Sequence, residues 1–366
     1  MVHGYIRVLS GRSVNRVLAL LTGRNDGEFE ALIRSAGWEI VGRLRVRRRS
    51  SSHWIGRGKL EEVKGLVQEL SPDIVAINAD LRSAQWYNLR KELGVEVLDR
   101  LGVILRIFRD RASSREAKLQ VELAILRYEI PHVKEYVRRV RMGEHPGFMG
   151  GGEYGIEPHV HEIRRRIAKI RRELEKVRAD RRRKRERRRE LGFRLVAVVG
   201  YANAGKSTLV RALTGKDVPV DDRMFTTLQV ATGRMCDGVL VTDTVGLVSD
   251  LPPWVLEAFK AAIEEAVEAD AIVVVVDASE PVEEVGRKAQ AIYEILSGMG
   301  LEKPVILALN KVDVADGLEE KARILIPLFG RVIPISALRG DGLPDLRREI
   351  FKVLGLVGSY EPPMYT

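Results

Sequence analysis

Apolar and polar positions follow two different rhythms along this chain, and the changes between them divide it. Over residues 1–110, short apolar runs at Asn15–Leu21, Glu39–Val46, Ile74–Asn78 and Val95–Leu98 read as strands. Amphipathic stretches at Gly27–Ser35, Lys59–Leu70 and Arg82–Leu93 read as helices between them, and this alternation predicts a small α/β layer with a largely parallel sheet. The period then lengthens. Leu119, Leu123, Leu126, Ile130, Val133, Val137 and Val140 follow the four-three spacing of a heptad seam. Pro131 falls inside it and predicts a kink or a break. After a glycine-rich stretch, Gly143 to Gly155, a second seam runs through Ile163, Ile167, Ile170, Leu174 and Val177. Two matching stripes joined by a loop predict an antiparallel helical hairpin.

From Arg194 the strand-helix alternation returns, with strongly apolar strands at Leu195–Val199, Val239–Thr242, Ala271–Val276, Val305–Leu309 and Arg331–Ile335. Continuous apolar strands separated by helices indicate a mostly parallel sheet covered on both faces. The expected organisation is a small α/β domain at 1–110, a helical hairpin at 111–190, a larger α/β domain at 191–358 and a tail at 359–366.

Charge changes this picture in one place. The net charge of the chain is +10, and residues 157–190 hold sixteen Lys/Arg against seven Asp/Glu. One segment therefore carries nearly the whole excess, as a localised anion-binding arm would. Its core, Arg181-Arg182-Arg183-Lys184-Arg185, has no apolar stripe; a solvated helix face and an RNA-backbone contact both fit, and arginine's planar fork of donors favours phosphate. The single cysteine, Cys236, excludes an internal disulfide framework. With no basic-then-apolar leader and no stretch of about 20 apolar residues, a cytoplasmic protein is expected.

The candidate chemistry lies at the ends of the later strands. Gly200-Tyr201-Ala202-Asn203-Ala204-Gly205-Lys206-Ser207, followed by Thr208, sits between a strand and an amphipathic helix, where glycines let backbone N–H groups curl around phosphates. Lys206 is expected to reach the β- and γ-phosphates and Ser207 to ligate Mg²⁺. Asp243-Thr244-Val245-Gly246 follows the next apolar strand, with Asp243 holding Mg²⁺ through water and the Gly246 amide sensing the γ-phosphate. Asn310-Lys311-Val312-Asp313 follows another; a carboxylate there accepts from guanine N1–H and its 2-amino group, a donor pair adenine lacks. Ser336-Ala337-Leu338 offers a backbone amide to the guanine carbonyl. Four weak motifs in this order, each at a strand end, make a GTP-hydrolysing switch the leading reading. The switch threonine lies in Phe225-Thr226-Thr227-Leu228.

Two residues bear on turnover. Leu247, after Gly246, stands where many small GTPases carry a water-orienting glutamine, so slow intrinsic hydrolysis is expected. Asn203 is a candidate oxygen ligand for K⁺ near the β–γ bridge; a residue that merely caps the turn fits as well.

The chain resembles HflX-type GTPases of the Obg–HflX group. In the later domain the likeness rests on Asp243-Thr244-Val245-Gly246-Leu247-Val248-Ser249-Asp250-Leu251-Pro252, Leu256-Glu257-Ala258-Phe259-Lys260 and Ala269-Asp270. Earlier, it rests on Ile55-Gly56-Arg57-Gly58-Lys59-Leu60-Glu61-Glu62, Asp99-Arg100, Ile107-Phe108, Arg111-Ala112 and Glu116 to Ala124. The resemblance favours Thr227 over Thr226 as the residue closing on Mg²⁺ and γ-phosphate. It also implies that the N-terminal domain and hairpin engage the large ribosomal subunit and its rRNA; for oligomeric state a monomer is the default expectation. One stretch, Gly150-Gly151-Gly152-Glu153-Tyr154-Gly155-Ile156-Glu157, is shorter than the family's glycine-rich loop and lacks its pattern. Two alternatives stand beside this reading: an RNA- or RNP-remodelling NTPase with an ATP site at Gly56-Arg57-Gly58-Lys59, and a non-catalytic nucleotide-sensing module. Trp54, Trp86 and Trp254 read as core or interface residues, and His159 with His161, two apart, do not share a helix face.

Overall fold

The structure is a computed structural model that describes residues 15–47, 49–112, 114–141, 157–215, 232–236, 238–243, 269–298 and 303–356. The chain divides into two compact units, Met1–Val177 and Arg178–Thr366. The division falls inside one long helix, so the hairpin groups with the N-terminal layer.

In the first unit, β1 (Arg16–Leu21), α1 (Asp26–Ser35), β2 (Glu39–Arg45), a two-residue pair β3 (Arg49–Ser50) and β4 (Trp54–Ile55), α2 (Arg57–Leu70), β5 (Ile74–Ile77), α3 (Ser83–Leu93) and β6 (Glu96–Asp99) follow the expected alternation. β2, β1, β5 and β6 form, in that order, a four-stranded sheet that is parallel throughout. The central strands are buried on both faces, which explains their unbroken apolar runs. Trp54 is in the core, and half-buried Trp86 donates from Nε1 to the Val97 carbonyl at 2.9 Å. A helix that periodicity does not reveal follows, α4 (Arg100–Arg111), with Leu101 through Leu105, Ile107 and Phe108 all buried. Its N-terminus is capped by Asp99, which accepts from the Gly102 amide at 2.7 Å. The same carboxylate accepts from the Tyr128 hydroxyl at 2.9 Å, and burial pushes it up to about 6.

Tyr128 belongs to α5 (Arg115–Arg141), which pairs with α6 (Glu157–Glu190). Leu119, Leu123, Ile167, Ile170 and Leu174 form the buried seam, with Leu126, Ile130 and Ile163 against it. Arg115 meets Glu173 and Arg166 meets Glu122; as one partner's number rises by seven the other falls by seven, which fixes the antiparallel register. A fully buried Leu or Ile contributes roughly 1.5–3 kcal/mol, against about 0.2–1 kcal/mol for an exposed ion pair, so the seam rather than the ion pairs holds the hairpin. Pro131 does not break α5, which runs through it unbroken. It sits at an exposed position, where water can take the carbonyl left without an amide partner. The glycine-rich stretch at 143–155 and the tail at 359–366 lie outside the described residues.

The second unit continues from α6 into β7 (Arg194–Gly200), α7 (Lys206–Thr214), β8 (Thr232–Cys236), β9 (Val239–Asp243), β10 (Ala271–Asp277), α8 (Val282–Gly298), β11 (Val305–Asn310), a 3₁₀ turn (Val312–Val314), α9 (Leu318–Phe329), β12 (Val332–Pro334) and α10 (Leu343–Val353). The sheet order is β12-β11-β10-β7-β9-β8, parallel except for the antiparallel edge strand β8. One core lies under α7 and α10, the other under α8 and α9, so the sheet is covered on both faces. β7 enters between β10 and β9, with later strands laid down on both sides of it. In such sheets the crevice outside the carboxyl ends at this point is where ligands bind.

Candidate nucleotide-binding site

Each candidate residue that the structure describes lies at this carboxyl edge. β7 runs into the 200–207 loop because its last residue is a glycine: a Cβ on Gly200 would come within 2.4 Å of the Val275 carbonyl of β10. Asn203 has φ 65° and is exposed, so its position demands a left-handed residue, a conformation asparagine tolerates better than most. Gly205 has φ +91°, and a Cβ there would meet Asn310 Nδ2 at 2.2 Å. It caps α7, whose first residues are Lys206 and Ser207, with Thr208 next.

Lys206 is 6% exposed and donates from Nζ to the Tyr201 carbonyl at 2.8 Å. Burial pushes its ammonium down to about 8, with the Asp243 charge pulling the other way. The Ser207 hydroxyl donates to Asp243 Oδ2 at 2.6 Å, bringing the ends of β7–α7 and β9 together. A hydroxyl and a carboxylate oxygen at this distance, beside an anion-binding loop, fit a hard cation such as magnesium, which needs only one or two protein oxygens.

Asn310 joins three loops. Its Nδ2 donates to the Ala204 carbonyl at 2.9 Å and its Oδ1 accepts from the Ala337 amide at 2.9 Å, with the side chain 2% exposed. Lys311, at φ 67°, donates to Asp277 Oδ2 at 2.6 Å. Asp313 sits on the 3₁₀ turn, held below the usual carboxylate range first by the Ser336 hydroxyl, then by its own backbone amide and the charges of Arg339 and Lys311, against burial. Arg339 Nε lies 3.5 Å from Asp313 Oδ2. Ser336 and Ala337 are buried whereas Leu338 is 81% exposed. The result is a buried ammonium at the head of α7 and an ionised carboxylate on the 3₁₀ turn, an arrangement that fits a guanine nucleotide.

Phe225, Thr226, Thr227, Gly246 and Leu247 lie outside the described residues. Asp277, Lys321 and Arg339 belong to the site without a motif to announce them; only Asp277, a carboxylate ending an apolar strand, left a trace in the sequence. Gly56-Arg57-Gly58-Lys59 opens α2 after β4, outside the four-stranded sheet, and Lys59 pairs with Glu62 at 2.7 Å. A phosphate loop instead follows a strand of the main sheet. Among the described residues, no helix is long and apolar enough to cross a membrane.

Known proteins resemble this chain over most of its length, beyond the site itself. Residues 25–109 match the family described as GTP-binding GTPase N-terminal, 111–188 the GTP-binding GTPase middle region, and 195–311 the 50S ribosome-binding GTPase family. The GTPase HflX of Thermococcus kodakarensis is 50% identical over 91% of this chain and 79% of its own. That of Methanocaldococcus jannaschii is 43% identical over 87% and 80%. A crystal structure of a GTP-binding protein from Sulfolobus solfataricus in complex with GDP superposes with a TM-score of 0.55 at 26% identity, over 94% of this chain and 100% of its own. The SsGBP–GDP complex gives 0.59 at 27%, over 93% and 98%. Matches that span both units place the chain in the HflX family of GTPases, enzymes that bind and hydrolyse GTP.

Proposed function

We propose that this GTPase is a switch that docks on the large ribosomal subunit in its GTP state and hydrolyses slowly until docked. The observation that carries the partner is the arginine-rich end of α6. Arg183 is largely exposed and its 3.9 Å contact with Asp180, exposed as well, leaves its guanidinium open to solvent. The match of 195–311 to a family described as 50S ribosome-binding supports the same partner. The working division is 1–110, 111–190 and 191–358, with the first two parts facing rRNA.

Within the site, Lys206 and the loop amides take the β- and γ-phosphates, and Asp313 accepts from guanine while Ala337 N–H and Leu338 border the base. Ser207 and, through water, Asp243 would hold magnesium, with Thr227 joining in the GTP state; the ion would supply charge neutralisation at the phosphates. Gly246 senses the γ-phosphate. Asn203 would hold K⁺, which would supply charge in a loop set whose Leu247 cannot orient water by hydrogen bonding.

Co-sedimentation with 50S subunits tests the proposal. Recovery is expected with a non-hydrolysable GTP analogue, reduced with GDP, and falling steeply with salt because phosphate contacts release counterions. Equal recovery in both nucleotide states removes the switch, and salt-insensitive binding removes the arginine contact.

A further inference from the structure

The loop that carries Asp313 is fastened at its entrance by groups already described. Asn310 clamps Ala204 and Ala337, the Asn310 carbonyl accepts from the Ala278 amide at 2.8 Å, and Lys311 is tied to Asp277. Asp277 in turn is held by the Ser279 amide at 2.9 Å and hydroxyl at 2.6 Å. At its exit a buried side chain reaches back across the turn. Lys321, in the first turn of α9, is 6% exposed. Its Nζ donates at 2.7 Å to the carbonyl of Ala278, just after β10, and at 2.7 Å to the carbonyl of Asp316, where the Asp313 turn leads into α9.

A buried ammonium is costly unless its donors are used, and here two of three are spent on backbone carbonyls from different segments. Neither carbonyl belongs to a helix or strand ladder, so neither bond is needed to build α9 or the sheet. What they fix is the distance between the end of β10 and the far side of the Asp313 turn. With Asn310 and Lys311 at the near side, the turn is anchored at both ends, and Gly317 at φ 64° begins α9 immediately beyond. We propose that Lys321 is a positioning residue for base recognition: it holds the Asp313 carboxylate in the plane where it meets guanine N1–H and the 2-amino group together. The inference rests on the guanine-reading role of Asp313. A carboxylate that accepts two bonds at once tolerates little tilt, so a loosened turn loses the second bond first.

The test compares GDP with IDP, which keeps N1–H but lacks the 2-amino group, on the full-length protein. Lys321→Met keeps the stem and removes the donors. Its expected effect is a GDP dissociation constant about tenfold higher and a smaller change for IDP, with Lys321→Arg restoring part of the GDP preference. A purely structural role would lower Tm without moving the GDP:IDP ratio. An unchanged ratio in Lys321→Met overturns the proposal whatever happens to Tm. Should that variant fail to fold, Lys321→Gln, whose amide nitrogen stands one bond short of the ammonium position, is read in the same way. Asp313→Ala is run in parallel. Collapse of the ratio there with no change in Lys321→Met sinks only the positioning role; persistence of the ratio in Asp313→Ala sinks the base-reading role and this inference with it.

Discussion

The Ser207 hydroxyl and the Asp243 carboxylate meet at 2.6 Å across the gap between α7 and β9, so two oxygen groups from separate strand ends converge on one point. If they hold magnesium together, Ser207→Ala removes one donor and leaves the carboxylate. The expected result is a roughly 10–100-fold weaker affinity for Mg·GTP, the range for a hydrogen bond or contact involving a charged group. GDP measured in EDTA should change far less. Equal losses with and without magnesium would contradict the assignment.

Lys206 gives a pH dependence with a definite sign. Burial holds its free-state ammonium at about 8, and arriving phosphates raise that value. Binding therefore takes up a proton above about pH 8, and affinity should fall there, by at most about tenfold per pH unit. Isothermal titration of GDP in buffers of different ionisation enthalpy between pH 7 and 9.5 checks both the decline and the proton uptake. A flat profile would show that Lys206 is already fully charged.

Asn203 separates backbone from side chain. Its φ of 65° suits glycine at least as well, so Asn203→Gly should keep the loop shape and GDP affinity. If the amide oxygen holds K⁺, wild-type turnover will be faster in potassium than in sodium and the variant will show no difference. Equal wild-type rates in the two salts would leave the left-handed turn as the reason for asparagine at this position.

Glu129 tests the hairpin's seating on the N-terminal layer. Burial raises its carboxyl to about 7, with Arg106 and Arg109 opposing. An acid raised on folding stabilises fully below its unfolded value near 4.5 and loses that contribution as pH rises through about 7. Nearby His132, pushed down to about 4 by burial, contributes stability that is lost as pH falls from about 6.5, so the wild-type curve alone mixes the two. The difference between Glu129→Gln and wild type isolates the carboxyl. The variant should melt higher above pH 7, and the advantage should vanish towards pH 4.5. A constant offset across that range would contradict the burial.

Most of the fold was legible because its signals are local. β1, β5, β7, β10 and β11 are buried on both faces and read as unbroken apolar runs, and the hairpin seam kept its period from Leu119 to Ile130. α4 escaped because it is buried on nearly every face, from Arg100 to Phe108, and so shows no stripe. β8, Thr232–Cys236, escaped because an edge strand of mixed polarity carries neither pattern. At the site, the residues in motifs could be named because backbone geometry dictates them, as at Gly200 and Gly205. Lys321 could not: it acts on carbonyls of Ala278 and Asp316, and any residue type supplies a carbonyl. In the sequence it is one more charge after Glu319 and Glu320.

The register of the hairpin has a mechanical consequence. α5 begins at Arg115, opposite Glu173, so α6 runs on from there to Glu190 past the start of its partner helix. At about 1.5 Å per residue that overhang is roughly 25 Å of helix. Along it Arg181 and Arg185, Arg183 and Arg187, and Lys184 and Arg188 stand four apart, a spacing at which like charges repel. The division between the two units falls in this stretch. Neutralising these charges, by salt or by a bound polyanion, relieves that repulsion and so favours the helical form of this stretch.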